Sequence, residues 1–191
     1  MINGVDTEAL RRTVDAVREK PGLAQVTFGV RSEWDQGCRQ RATTTDLLQD
    51  NRVVTGRTAR YVLESDEPTA LLGTDSAASP GEYVLQALAG CYAVTFSTIA
   101  ATRGIELSSL RLELQTDFDL QGFLALDEAV RPGAQEIRVH VRAESPNATT
   151  EQLQELTEHV QKRSPIRDTL ANPVTVTTIL LTDEGLSHPP A

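Results

Sequence analysis

Aromatic residues are scarce in this chain, at 4% of 191 positions, so its core has to be built from Leu, Val, Ile and Ala. Cysteine is nearly absent as well. Cys38 and Cys91 are the two present, too few for a disulfide framework in a chain this long. Met1 to Lys20 has no apolar run that would read as a secretory signal, so a reducing cytoplasm is the expected setting. The triplet Asn147-Ala148-Thr149 is then irrelevant as a glycosylation acceptor. Positive charge is in deficit, with a net charge of -9, which argues against nucleic acid or an anionic membrane as partner. There is no GxGxxG, P-loop, GxSxG or HExxH pattern, and His140, His159 and His188 are scattered without ligand spacing. Nucleotide, serine hydrolase and zinc chemistry are set aside on those grounds, and no cofactor or metal is expected.

Against these absences stands one stretch, Ser79 to Gly104, uncharged between Glu82 and Arg103 with Cys91 near its middle. Ser79 suits a helix N-cap, Pro80 the first helical position, and Glu82 completes a capping box. Arg103 and Gly104 mark its end. Val84, Leu85, Leu88, Cys91, Val94, Phe96 and Ile99 keep to no single stripe, and alanines fill the other faces. A helix apolar all round is expected to be buried on most sides. A membrane span is the alternative by length. Gln86, Gly90, Thr95, Ser97 and Thr98 leave the segment only mildly apolar, and nothing else in the chain resembles it, so a central core helix is the reading adopted.

The rest of the chain arranges itself around that helix. Asp6 or Thr7 caps a first helix with one narrow apolar stripe, Leu10, Val14 and Val17, ended by Pro21-Gly22. From Ala24 the period becomes two: Val26, Phe28 and Val30, then Trp34 and a turn at Asp35-Gln36-Gly37, with a return strand over Cys38 to Thr45. Asp50-Asn51 is a second turn, Thr58 to Glu64 a third strand, and Ser65 to Ala78 a loop leading into the central helix. Beyond Gly104, Leu110, Leu112, Leu114 and Thr116 alternate on one strand. Ile137, Val139 and Val141 alternate on another, after an excursion over Gly122 to Gly133 read as a strand extension and a turn. Thr149 with Gln152 opens a helix through Leu153, Leu156 and Val160, which ends at Ser164-Pro165. Ile166 to Leu170 is a short turn, and Val174 to Leu181 reads as a final strand. Strand runs joined by hairpins and segregated from helices indicate an α+β fold with mostly antiparallel pairing.

Chemistry centres on Cys91, which has two readings: a small buried hydrophobe, or a reactive thiol. Mid-helix it gains nothing from the helix dipole, so reactivity would need a cation from elsewhere, with Arg39, Arg41, Arg57 and Arg60 as sources. Glu82 is either a capping-box residue only or the holder of an arginine over the thiol. Cys38, in a polar hairpin, is either incidental or a second redox partner.

The segments SDEP, LLGTD, SPGEYVLQALAGC, Gly104-Ile105-Glu106-Leu107 and the later run Ser164-Pro165-Ile166-Arg167-Asp168-Thr169-Leu170 through Asn172-Pro173-Val174 resemble the OsmC/Ohr superfamily of osmotically induced and organic hydroperoxide resistance proteins. The resemblance covers Gln25 to Leu181. An OsmC-like domain is therefore expected over residues 24–183, with the N-terminal helical extension at 1–23 outside the resemblance and a tail at 184–191 expected to be disordered. The resemblance also implies a homodimer whose strands intertwine around back-to-back central helices. In the peroxidase members, a central-helix cysteine attacks the hydroperoxide, a hairpin arginine and an early helix glutamate organise it, and a second cysteine resolves the sulfenic acid. Carried over, Cys91 attacks and Arg39, or else Arg41, assists. Two departures stand out: position 164 is Ser, and the family glutamate falls on Gly81 with Glu82 one place later.

The expected function is one-cysteine, thiol-dependent reduction of an organic hydroperoxide through Cys91, with Arg39 and Glu82 in support. The alternative is a non-catalytic protein that binds a small apolar ligand beside the central helix. Adjacent strand residues face opposite sides, so Arg39 turned inward puts Cys38 outward. Resolution by an external thiol is therefore preferred to a Cys38–Cys91 bridge.

Overall fold

The structure, a computed structural model, describes residues 1–56 and 59–181; the tail expected at 184–191, His188, Arg57 and the start of the strand placed at Thr58 lie outside them. Helix α1 (Thr7–Glu19) begins where the Asp6 carboxylate accepts from the amides of Glu8 and Ala9. None of its residues is buried, as one narrow stripe implies. A 3-10 turn at Pro21–Ala24 follows. The N-terminal segment is tied to the body by Asn3, whose amide donates to Ile105 O at 2.9 Å and accepts from Leu107 N–H at 2.8 Å.

Two small antiparallel sheets come next. Strands β1 (Val26–Thr27), β4 (Leu48–Gln49) and β5 (Arg52–Val53) form one, in the order β1-β4-β5. Asp50 and Asn51, at φ of 54° and 58°, make the β4–β5 turn, the left-handed pair that matches strand twist. Strands β2 (Val30–Trp34), β3 (Gln40–Thr44) and β6 (Val62–Ser65) form the other, with Ser32 opposite Ala42 and Ala42 opposite Leu63. The β2–β3 turn is held by the Trp34 indole donating to Gly37 O at 3.0 Å.

The loop from Asp66 to Ala78 folds around one carboxylate. Asp66 is fully buried; Oδ2 accepts from both the amide and the hydroxyl of Thr74 and of Ser76, and Oδ1 from the Glu67 amide. Gly73 crosses so close to Glu67 that an added Cβ would lie 1.7 Å from the Glu67 carbonyl oxygen. Only glycine fits there.

Helix α2 (Pro80–Thr102) starts with the anticipated capping box between Ser79 and Glu82. The paired strands β7 (Ser109–Asp117) and β8 (Glu136–Glu144) pack against it, with Leu110, Leu112 and Leu114 opposite Ala143, Val141 and Val139. The excursion between them carries a short helix α3 (Leu120–Phe123) rather than a strand extension. Helix α4 (Thr150–Arg163), capped by Thr149 and Gln152, crosses α2, and α5 (Pro165–Ala171) follows. The core is Leu88, Tyr92, Phe96 and Ala100 of α2, Ile105, and Leu156 and Val160 of α4.

Three expectations need correction. Helix α2, which has the length and composition of a membrane span, is the core helix expected, but its burial on most sides is not found. It is covered on one face only: Ala87, Gly90 and Val94 are exposed, Val94 at 67%. A single small sheet and two helices do not have the area to wrap an apolar cylinder. The segment Ile166 to Leu170 is helical, because Ser164-Pro165 both ends α4 and opens α5. Val174 to Leu181 pairs with no strand among the described residues, and Val176, Ile179 and Leu180 are exposed.

Candidate functional site

Cys91 lies halfway along α2 at the edge of its buried stripe, beside Leu88 and Tyr92. Its carbonyl accepts from the Thr95 hydroxyl at 2.7 Å, fixing the turn. The α4–α5 junction comes over the sulfur. Ser164, 1% exposed, is C-cap to one helix and N-cap to the next, and its Oγ accepts from the Arg167 amide at 3.4 Å. That leaves its proton for Cys91 Sγ, 3.1 Å away, and the Ile166 amide also donates to Sγ at 3.5 Å. Two donors therefore face the half-buried sulfur.

The other expected site residues are elsewhere. Arg39 pairs with Asp35 at 3.3 Å within the β2–β3 turn, and Arg41 with Glu64 at 3.7 Å. Arg60 pairs with Asp46 at 2.5 Å. Glu82 accepts from the Ser79 amide at 2.8 Å, so it is the capping residue, and among the described residues it holds no arginine. Among the described residues no guanidinium is hydrogen-bonded to Cys91 Sγ. Both cysteines are free, and the Cys38 thiol, exposed on its hairpin, points to Leu72 O at 3.8 Å. His159 lies 3.7 Å from Glu155 on α4, and no cluster among the described residues has the composition to hold a metal.

The resemblance puts a resolving cysteine at position 164 and so implies its nearness to Cys91; the residues alone did not show that the Ser164 hydroxyl and the Ile166 amide donate to the sulfur. The signal was the Ser-Pro pair, an N-cap followed by an N1 proline, taken only as a stop. Burial pushes the Tyr92 hydroxyl up from its usual range; the Arg167 guanidinium pulls against this and the neighbouring Cys91 adds to it. Leu88 and Tyr92 also help line a cleft of about 640 Å³ between α2, β8, α4 and α5, which Cys91 itself does not line.

Comparison with known proteins sets this arrangement in a family. No curated protein sequence matches the chain. Among solved structures, an OsmC-like protein from Mycoplasma pneumoniae is similar at 19% identity, over 76% of this chain and 87% of its own, with a TM-score of 0.57. An OsmC-like protein of unknown function from Vibrio cholerae matches at 11% identity, over 75% and 92%, with a TM-score of 0.56. An organic hydroperoxide resistance protein from Legionella pneumophila matches at 14% identity, over 75% and 88%, with a TM-score of 0.52. These likenesses show the fold. Residues 73–179, more than half of the chain and including Cys91 and Ser164, match the profile of the OsmC-like proteins, and the chain therefore belongs to the OsmC-like protein family.

Proposed function

We propose that the protein reduces organic hydroperoxides through Cys91, as part of a cytoplasmic defence against oxidants, and draws on an external thiol. The observation that carries this reading is the Cys91 sulfur itself, half-buried at the helix centre and facing the Ser164 hydroxyl and the Ile166 amide. The hydroperoxide resistance protein of the same fold supports it at the level of the family.

In this reading the sulfur attacks the outer peroxide oxygen, the O–O bond breaks, and Cys91 becomes a sulfenic acid. The leaving alkoxide takes up the proton that the thiol gave up and departs as an alcohol, so sulfur loses the two electrons that the peroxide gains. An external thiol then attacks the sulfenic sulfur, giving a mixed disulfide and water, and a second thiol frees Cys91. The hydroxyl at position 164 cannot take the place of that thiol, because a serine oxygen forms no disulfide. The intertwined homodimer is part of the same proposal, supported by the uncovered small-residue face of α2 and the unpaired segment 174–181.

Treatment with tert-butyl hydroperoxide followed by dimedone tests the thiol chemistry. The expected result is one adduct at Cys91, none in Cys91→Ser, and a mixed disulfide at Cys91 when a thiol is added instead. Cys91 left unmodified, or modification confined to the exposed Cys38, overturns it. A second reading, a non-catalytic binder of a small apolar ligand, is favoured by the cleft beside α2.

A further inference from the structure

The cleft lined by Leu88 and Tyr92 has a mixed lining, with Gln135, Thr157 and Gln161 beside its apolar residues. Ile137 and Val139 of β8 and Leu170 of α5 supply further apolar surface, and two arginines, Arg131 and Arg167, line the same space. Among the described residues neither arginine has a carboxylate partner. Glu136, the carboxylate that also borders the cleft, is taken by Arg138 at 2.6 Å. The Tyr92 hydroxyl, in the same cleft, has no hydrogen-bond partner among the described residues. Seven arginines among the described residues pair with acids; Arg131 and Arg167 do not, and both line this one cleft. The Arg131 side chain lies over Gly133, where an added Cβ would come within 3.1 Å of its Nη2. Arg167 is placed by α5, whose N-cap is the Ser164 that touches the thiol.

A cleft of about 640 Å³ accommodates a small organic ligand, and two guanidinium groups without a carboxylate partner match a carboxylate better than any neutral group. We propose that this cleft is a binding site for an amphipathic carboxylate, its chain against Leu88, Ile137, Val139 and Leu170 and its head between Arg131 and Arg167. The inference rests on the ligand-binding reading above and names the chemistry of the ligand; it does not require Cys91 to react. Tyr92 completes the site as a neutral donor to the head group, since burial keeps its proton on.

Calorimetric titration of the full chain with decanoate and with decanol tests it. Decanoate is expected to bind at least tenfold more tightly than decanol. The pair Arg131→Gln and Arg167→Gln should abolish that preference while leaving decanol within twofold, which also shows that the variant is folded. Arg111→Gln, on the exposed side of β7, should change neither titration, and Cys91→Ser should bind as the parent does. Equal affinity for acid and alcohol overturns the carboxylate assignment but leaves an apolar binder. Loss of decanoate binding in Arg111→Gln, or in Cys91→Ser, also overturns it, by pointing to general charge or to the thiol. Binding of neither compound overturns both the assignment and the ligand-binding reading.

Discussion

At the scale of single residues, position 164 decides how the thiol is treated. Its hydroxyl is committed on both sides, accepting from the Arg167 amide and donating to Cys91 Sγ at 3.1 Å. Ser164→Ala removes a buried hydrogen bond and is expected to lower the unfolding free energy by about 0.5–1.5 kcal/mol, measured by urea titration. Ser164→Cys puts a second sulfur where a shift of about 1 Å gives bonding distance. On mild oxidation that variant should lose two of its three titratable thiols and two mass units, with Cys38 remaining free. Three free thiols after oxidation would mean that the junction does not sit over Cys91 as described. The resemblance implied that position 164 meets Cys91, but residue pattern alone did not show the contact. They are 73 residues apart, and their meeting depends on how α4 crosses α2.

At the scale of elements, what was legible followed local chemistry. The capping boxes at Ser79–Glu82 and Thr149–Gln152, the Asp50–Asn51 turn and the alternation from Leu110 to Leu114 are all present because each rests on neighbours within a few residues. Ser164-Pro165 was ambiguous because proline disfavours the helix before it and suits the helix after it. The loop around Asp66 was read only as a connection, although one buried carboxylate organises it. The Thr74 hydroxyl first, then the amides of Ser76 and Glu67 and the Ser76 hydroxyl, hold Asp66 far below the usual carboxylate range, against the opposing pull of burial. A carboxyl whose folded value is depressed stabilises above its unfolded value, near 3.8, and that contribution fades as pH falls through the folded value. The gap in melting temperature between the parent and Asp66→Asn should therefore be widest above pH 5 and narrow progressively below pH ~4. A gap that stays constant down to pH ~2.5 would show that the charge of Asp66 is not what holds the loop.

At the scale of the whole molecule, apolar surface is left over. Val94 stands out from α2 between Gly90 and Thr98, and an added Cβ at Gly90 would meet nothing within 4 Å. Val176, Ile179 and Leu180 extend without a strand beside them. An all-round apolar helix is a pattern of composition, and composition registers the burial a residue needs without saying which chain supplies it; hence the half-covered α2. Sedimentation at micromolar concentration should give twice the chain mass, and Val94→Glu should shift the population to the single-chain mass, since an unpaired charge on a closed face is strongly disfavoured. A parent protein that sediments as a single chain would remove the homodimer from the proposal.

The tether formed by Asn3 also sets a clock. Its two partners, Ile105 O and the Leu107 amide, lie 102 and 104 residues further along the chain. At ribosomal speeds of about 5–20 residues per second, roughly 5–20 s separate the synthesis of Asn3 from that of Ile105. Through that interval the first residues have nothing to hold and α2 is still being made. Asn3 is therefore tied only once α2 is complete, onto the turn that closes the central helix, while the strands and helices from Ser109 onward are made later still.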